Sequence, residues 1–418
     1  MTQSFSSDRS ELALQKQYFR GTHRICDPRD TLERIRPKLS KFGITRVANI
    51  TGLDWIGIPV VMVVRPNSRS VSVSQGKGIT LDAARVSGVM EAIELYHAEN
   101  IRSPLVLASW EELSGRALTV DPNRLPPSKL GAFNPGLRIL WIEGFDLIAR
   151  QPTWVPLEVV TTDATGPELP GNNAFCSTSN GLASGNNFFE AACHALCELV
   201  ERDATTLWYL SDARLRNARR LDLATIDDAS IVGLLRQLAA SGMELLVWDV
   251  TSDVEVPVFL SLLCEPRDRP ERARYSSTGM GCHPTREIAL LRALTEAAQS
   301  RLTLISGTRD DIFRDQYQWN RYQPADLQRY RALRPDAGPW RRYADVSTFH
   351  AGSIGEDLDW LLSRLRCAGL HSAVAVDLSQ DDQEISVVRM VVPGLEAPAS
   401  ADNYTPGRRA SSLREQRQ

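Results

Sequence analysis

The chain has 418 residues, a formal net charge of −3, 43% hydrophobic residues and 24% charged residues. That length supports a large core in one elaborate domain or two tightly packed ones. The near-balanced charge, with no Lys/Arg run, argues against a nucleic-acid binder while leaving room for a local basic groove, and no apolar run reaches the ~20 residues of a membrane span. Seven scattered cysteines and the lack of a basic-then-apolar N-terminal signal fit a cytoplasmic protein with reduced thiols.

Residues 1–15 read as a flexible polar tail, and residues 16–396 as the folded body, divisible at 16–150 into an N-terminal subdomain. A basic loop with Lys16, Arg20, His23 and Arg24 precedes a short helix that Asp30 or Thr31 caps and Pro37 ends. Residues 58–64 form a buried strand. The stretch SVSQGKGIT follows, and its Gly76, Lys77 and Gly78 read as a loop able to bring backbone N–H groups and Lys77 to an anion, or as a plain turn. It lacks the upstream glycine of a Walker A motif. Residues 83–100 are helical, and residues 101–135 read as a long connection with short helical pieces. Strands are expected over 137–149 and in the following PTWVPLEVV segment. Residues 166–185 form a glycine-rich loop that feeds a helix over 185–204. Two neighbouring strands (245–251 and 258–264) lead to a second glycine loop, 275–285, and a third helix, 290–301. A charged, aromatic excursion comes next, opening with Arg309, Asp310 and Asp311. A helix (357–366) and strands 372–378 and 385–392 close the core, and residues 397–418 read as a flexible tail.

The three long helices carry the chemistry. At 100° per residue, Glu190, His194, Glu198 and Glu201 fall in one stripe on a helix that is otherwise almost wholly apolar. Ser87, Glu91 and Glu94 repeat the offsets of His194, Glu198 and Glu201, and Arg292, Glu296 and Gln299 repeat them again. One such stripe alone reads as a solvated face. Three in apolar helices imply carboxylates that converge, and buried carboxylates require protons, cations or metal. Hard oxygen donors of this kind suit Mg²⁺, which commonly holds a nucleotide phosphate. Arg301 and Arg309, just past Glu296, are the candidates for phosphate pairing. Cys193 and Cys197, one turn apart beside His194, read as packing rather than zinc ligands.

The joint pattern of SQGKGIT, the Ser87–Glu91–Glu94 helix, SNGLASGNNFFEAACHALCELVERDA and GMGCHPTREIALLRALTEAAQSRLTLISGTRDD resembles the YcaO family of ATP-dependent enzymes that modify peptide backbones. GTHR near the start and VVPGLE near the end are most similar to the branch associated with a partner called TfuA. The resemblance implies an α+β fold of mixed or antiparallel sheets, with neither Rossmann nor P-loop motif, and a homodimer. It implies ATP and Mg²⁺, with the metal on Glu91, Glu94, Glu198, Glu201 and Glu296. Lys77, Ser87, Asn186, Glu190, Arg202 and Gln299 would hold nucleotide. Met90 stands where some members carry Arg, so Arg24 or Arg301 would supply that contact.

By the same resemblance, the reaction is phosphorylation of a backbone amide oxygen after a nucleophile has added to its carbonyl. External sulfide gives a thioamide, and a neighbouring Cys, Ser or Thr gives an azoline. The terminus TPGRRASSLREQRQ replaces the Pro-x-Pro-x-Pro tail of cyclodehydratases, which favours thioamidation of a ribosomally made precursor peptide with a TfuA-like protein and a sulfide source. A separate leader-peptide-binding protein would then deliver the substrate. The competing readings are a cyclodehydratase, a non-catalytic ATP-binding scaffold, a structural α+β protein with buried ion pairs, and a sulfur relay through Cys176 or Cys282. The intact acids argue against the scaffold, and too few basic residues lie near the stripes for simple ion pairing.

Overall fold

The computed structural model describes residues 15–18, 20–166, 171, 173–265, 276–312, 340–380 and 384–415. The expected tail over 1–14 and most of the charged excursion, 313–339, lie outside these residues. In chain order come α1 (Pro28–Ile35), β1 (Arg46–Asn49), β2 (Val60–Val64), β3 (Val73–Lys77) and α2 (Leu81–Glu99). Then follow β4 (Leu105–Ala108), α3 (Trp110–Ser114), β5 (Ile139–Asp146), β6 (Gln151–Pro156), β7 (Leu182–Gly185) and α4 (Phe188–Leu210). The chain continues with α5 (Ala213–Ala218), α6 (Ala229–Ala240), β8 (Glu244–Asp249), β9 (Val258–Cys264), β10 (Ser276–Cys282) and α7 (Arg286–Ser306). The last elements are α8 (Ile354–Cys367), β11 (Val374–Asp377), β12 (Ser386–Val391) and α9 (Arg408–Glu415).

Every named strand pairs antiparallel. Two three-stranded sheets, β1-β2-β3 and β8-β9-β10, flank a six-stranded one ordered β4-β5-β11-β12-β7, with β6 added to β5. A boundary at residue 150 would fall inside the β5–β6 hairpin, whose register pairs Asp146 with Gln151. The expected strands over 137–149, 245–251 and 258–264 correspond to β5, β8 and β9. Edge strand β4, within the stretch expected to be a connection, was not anticipated.

The element that organises the molecule is a strand feeding a long helix that folds back over it. It occurs three times, as β3–α2, β7–α4 and β10–α7. This corrects the reading of the glycine stretches as loops, because Gly76 and Lys77 lie in β3 and Gly279 and Gly281 in β10. The glycines serve close packing: a Cβ on Gly76 would sit 2.0 Å from the Ala84 carbonyl oxygen, and one on Gly279 would sit 2.2 Å from that of Ala293. No side chain fits between strand and helix there. Thr80 caps α2 by accepting from the Ala83 N–H, and Asn187 caps α4 by accepting from Glu190.

Helix α4 is central: Ala191, Ala195, Leu196 and Val200 pack with Trp248, Leu260 and residues of α8 in one core, while α2 and α7 centre two others. The C-terminal stretch corrects the expectation of a loose tail from residue 397. Ala397, Tyr404 and Ala410 are buried, and Arg409 makes a two-pronged ion pair with the buried Asp203 (2.9 and 3.0 Å). Glu396 accepts from the Tyr404 hydroxyl and the N–H groups of Gly407 and Ala410, which folds the stretch back on itself. Among the described residues, no helix is long and apolar enough to cross a membrane.

Candidate active site

The three strand–helix units surround a cavity of about 1930 Å³. Glu91 and Glu94 reach it from α2, Glu190, Glu198, Glu201 and Arg202 from α4, and Glu296 and Gln299 from α7; Lys77, Ser87, Asn186 and Arg24 also line it. Thus every sequence-predicted site residue but one meets at a single place. The exception is Arg301, which is fully buried away from the cavity, ion-paired with Asp54 (3.3 Å) and Glu265 (2.6 Å) and stacked on Trp55. The physical reason is helical phase. Five residues past Glu296, Arg301 points well away from the Glu296 face, whereas Gln299 and Thr303, at three and seven residues, stay on it.

The acids fall into two electrostatic classes. Lys77 donates to Glu296 and Arg202 lies 4.0 Å from it, so burial raises the Glu296 carboxyl but these cations more than offset it, leaving it below its ordinary value. Across the cavity the cations do not outweigh burial. Burial, with its like-charged neighbours adding, pushes Glu91 up to about 7 and Glu94 to about 8, although Ser184 donates to Glu94 through both N–H (2.8 Å) and hydroxyl (2.7 Å). Burial also raises Glu201 to about 7 and lifts Glu198, against the pull of Arg202. Among the described residues, no ion pair reaches Glu91, Glu94 or Glu198, and Glu201 has only Arg202 at 3.5 Å. Four crowded carboxyl groups, all raised by burial, with oxygen lone pairs facing a cavity fit a divalent oxygen-seeking cation such as Mg²⁺.

Other predicted residues are already engaged within the chain. Glu190 accepts from the Ile25 N–H (2.6 Å) and from both the N–H and side-chain amide of Asn186 (2.9 Å each). Asn186 in turn accepts from Thr31 and Arg34, so this pair ties the N-terminal segment to the start of α4. Gln299 donates to the Gln75 carbonyl at 2.8 Å. Arg309 lines the cavity and pairs with Asp311.

Three charged residues outside the predicted set line the cavity or lie beside its acids. Arg292 lines the cavity and donates to His194 Nδ1 at 3.2 Å; burial, with Arg292 and Arg24 adding, holds His194 well below its ordinary value, hence neutral and able to accept. Its signal was available, because Arg292 sits one turn before Glu296 on the same face. Arg389 of β12 is buried near Glu198 and donates to the Thr178 carbonyl at 2.6 Å. Asp402, from the expected tail, also lines the cavity. Neither carried a sequence signal, since both arrive through long-range packing. A separate group, His23, His283 and Asp357, brings possible ligand atoms within 4.8 Å of one another. Lys16 already donates to both Asp357 oxygens (2.9 and 2.8 Å), and the Thr285 N–H donates to His283 Nδ1, so two of the three members are engaged within the chain.

Comparison with known proteins places the chain in a family. A family profile described as YcaO cyclodehydratase, ATP- and Mg²⁺-binding, matches residues 75–396. The chain is 39% identical over 395 residues to an uncharacterized protein in the tfuA 3′ region of Rhizobium leguminosarum bv. trifolii, covering 93% of this chain and 92% of that one. It is 36% identical over 397 residues to an uncharacterized protein of Methanothermobacter thermautotrophicus, covering 92% and 98% of the two chains. Among solved structures, YcaO from Methanopyrus kandleri bound with AMPPCP and Mg²⁺ superimposes with a TM-score of 0.73 at 25% identity, over 94% of this chain and 99% of that one. A heterocyclase in complex with substrate and cofactor shares the fold, with a TM-score of 0.76 at 24% identity over 92% of this chain; the match spans 54% of that longer chain. The chain therefore belongs to the YcaO family of ATP- and Mg²⁺-binding enzymes.

Proposed function

We propose that this enzyme converts a backbone amide of a ribosomally made peptide into a thioamide, acting with a TfuA-like partner and a sulfide source. The observation that carries the catalytic part is the set of four carboxylates, Glu91, Glu94, Glu198 and Glu201, with too few cations to neutralise them. These would hold Mg²⁺, which supplies charge neutralisation for the transferring phosphoryl group when bound. Glu296 keeps Lys77 and Arg202 aimed into the cavity, where both cations are available to phosphate oxygens. Arg24 and Arg292, whose near neighbours include neutral His194, form a second cationic wall. Ser87, Asn186 and Gln299 supply neutral hydrogen-bonding groups, and Glu190 fixes the N-terminal segment beside them.

In this reaction sulfide adds to the amide carbonyl carbon, and the former carbonyl oxygen takes the γ-phosphoryl group, releasing ADP. Collapse expels that oxygen as phosphate and leaves C=S. The chain's residues stabilise developing oxygen charge and exclude water, an electrostatic and positioning task. Support for sulfide as nucleophile is the relative beside tfuA; a neighbouring side chain as nucleophile, giving an azoline, is the second reading, favoured by the family description. The cavity volume of about 1930 Å³ exceeds the ~300–1,000 Å³ of ordinary ligand pockets, in keeping with a nucleotide and a peptide segment bound together.

The test is ADP formation by the purified protein with Mg²⁺, precursor peptide, sulfide and a TfuA-like partner, followed by peptide mass. A gain of about 16 Da supports the thioamide, and a loss of about 18 Da assigns ring closure. Nucleotide binding with no ADP and no mass change in any combination overturns the enzymatic reading.

A further inference from the structure

Strand β4 is an edge of the six-stranded sheet, and no described strand pairs its outer side. Natural edge strands are shielded by charge, bulges or an inserted proline. This one reads Leu-Val-Leu-Ala, with no charge and no bulge. Its alternation is clean: Val106 and Ala108 pack inward with Trp141 and Ile139, while Leu105 and Leu107 are 41% and 61% exposed. Leu107 lies directly opposite Leu140, and Leu140 lines the catalytic cavity. Residues directly opposite in an antiparallel pair share a face. Ile139, opposite Ala108, lines the cavity too, so the start of β5 forms its lip and the exposed leucines form an apolar ledge beside that lip, on an edge that no described strand covers.

We propose that this edge is a docking site for the substrate, which adds an extended segment as a further strand against β4, seating alternate apolar side chains on Leu105 and Leu107. This rests on the reading of the substrate as a peptide. Backbone chemistry requires the target amide to be free of its own secondary structure, and strand addition imposes an extended chain while satisfying its other backbone groups. A second copy of the protein is the poorer occupant. Two four-residue edges with two leucines each bury far less than the ~800 Å² per partner of a stable interface.

The experiment is anisotropy titration of the full-length protein, with Mg²⁺ and AMPPCP, using a fluorescent decapeptide of alternating Thr and Val flanked by lysines. Binding is expected to weaken at least roughly tenfold in Leu107→Asp, the loss of one buried leucine contact, and equally when the probe is N-methylated at alternate amides. AMPPCP affinity in Leu107→Asp is expected to match wild type, showing an intact fold. The proposal is overturned if wild type does not bind the probe or if Leu107→Asp binds it equally. It is also overturned if sedimentation shows a wild-type dimer that Leu107→Asp dissolves, which assigns the edge to a second copy. Probe binding as expected, with no peptide ever modified, leaves the docking site standing and sinks the catalytic reading. Modification with an unchanged KM in Leu107→Asp does the reverse.

Discussion

The α7 side and the α2/α4 side of the cavity hold the same kind of side chain and treat it oppositely. Glu296 sits between Lys77 and Arg202 and is more acidic than a free glutamate, whereas Glu91, Glu94 and Glu201 are held at about 7, 8 and 7 by burial, with Glu198 adding to each. The difference separates two tasks. A carboxylate already matched by cations can hold those cations in place, and one without them is where an external cation gains most. Motif spacing presents all five acids as equivalent, and only their neighbours distinguish them.

Substitution tests that distinction directly. Glu198→Gln and Glu201→Gln, on the cation-poor side, are expected to lower ADP formation by ~10²-fold or more, with excess Mg²⁺ failing to restore it. Glu296→Gln is expected to cost less, about tenfold, because Lys77 and Arg202 remain to meet phosphate. Equal losses at Glu198 and Glu296, measured as kcat/KM for ATP, would erase the two-class division.

Arg301→Met sharpens the contrast from outside the cavity. Removing a buried cation that holds Asp54 and Glu265 is expected to destabilise the fold by about 3 kcal/mol, with the KM for ATP unchanged in the folded fraction. A raised KM at unchanged stability, read by denaturant unfolding alongside kinetics, would return Arg301 to the phosphate site.

The smallest expected effect is on pH dependence. Glu94, raised chiefly by burial from 4.5 to about 8, keeps its proton in the folded protein after the unfolded chain has released one. Stability therefore falls as pH rises between those values and is highest, for this group, below the lower one. The ligand-free protein is expected to melt progressively lower from pH 5 to pH 8, and Glu94→Gln is expected to flatten that slope. Mg²⁺ binding near pH 7 is expected to release protons, seen calorimetrically as a heat that varies with buffer ionisation enthalpy. A slope unchanged in Glu94→Gln would mean that this carboxyl is not raised.

Much of this was legible in the linear chain because a helix is a fixed ruler. Offsets of three, four and seven residues place side chains on one face whatever surrounds them, so the three acidic stripes that meet at the cavity could be read before any fold was known, whereas the nucleotide-binding roles of Lys77, Asn186 and Arg24 came only from the resemblance. Apolar runs likewise marked β2, β5, β8 and β9. The glycines were equally visible, but their purpose was not: a glycine that permits a turn and one that lets a strand lie on its own helix look the same until the helix is in place. Arg301, Arg389, the folded C-terminal stretch and the exposed ledge on β4 depend on contacts between residues far apart in the chain. Such pairings are set by packing and by the matching of buried charges, which no local spacing encodes. The sequence thus determined which helix residues carry charge to the cavity, and tertiary structure alone decided which of those charges are already answered.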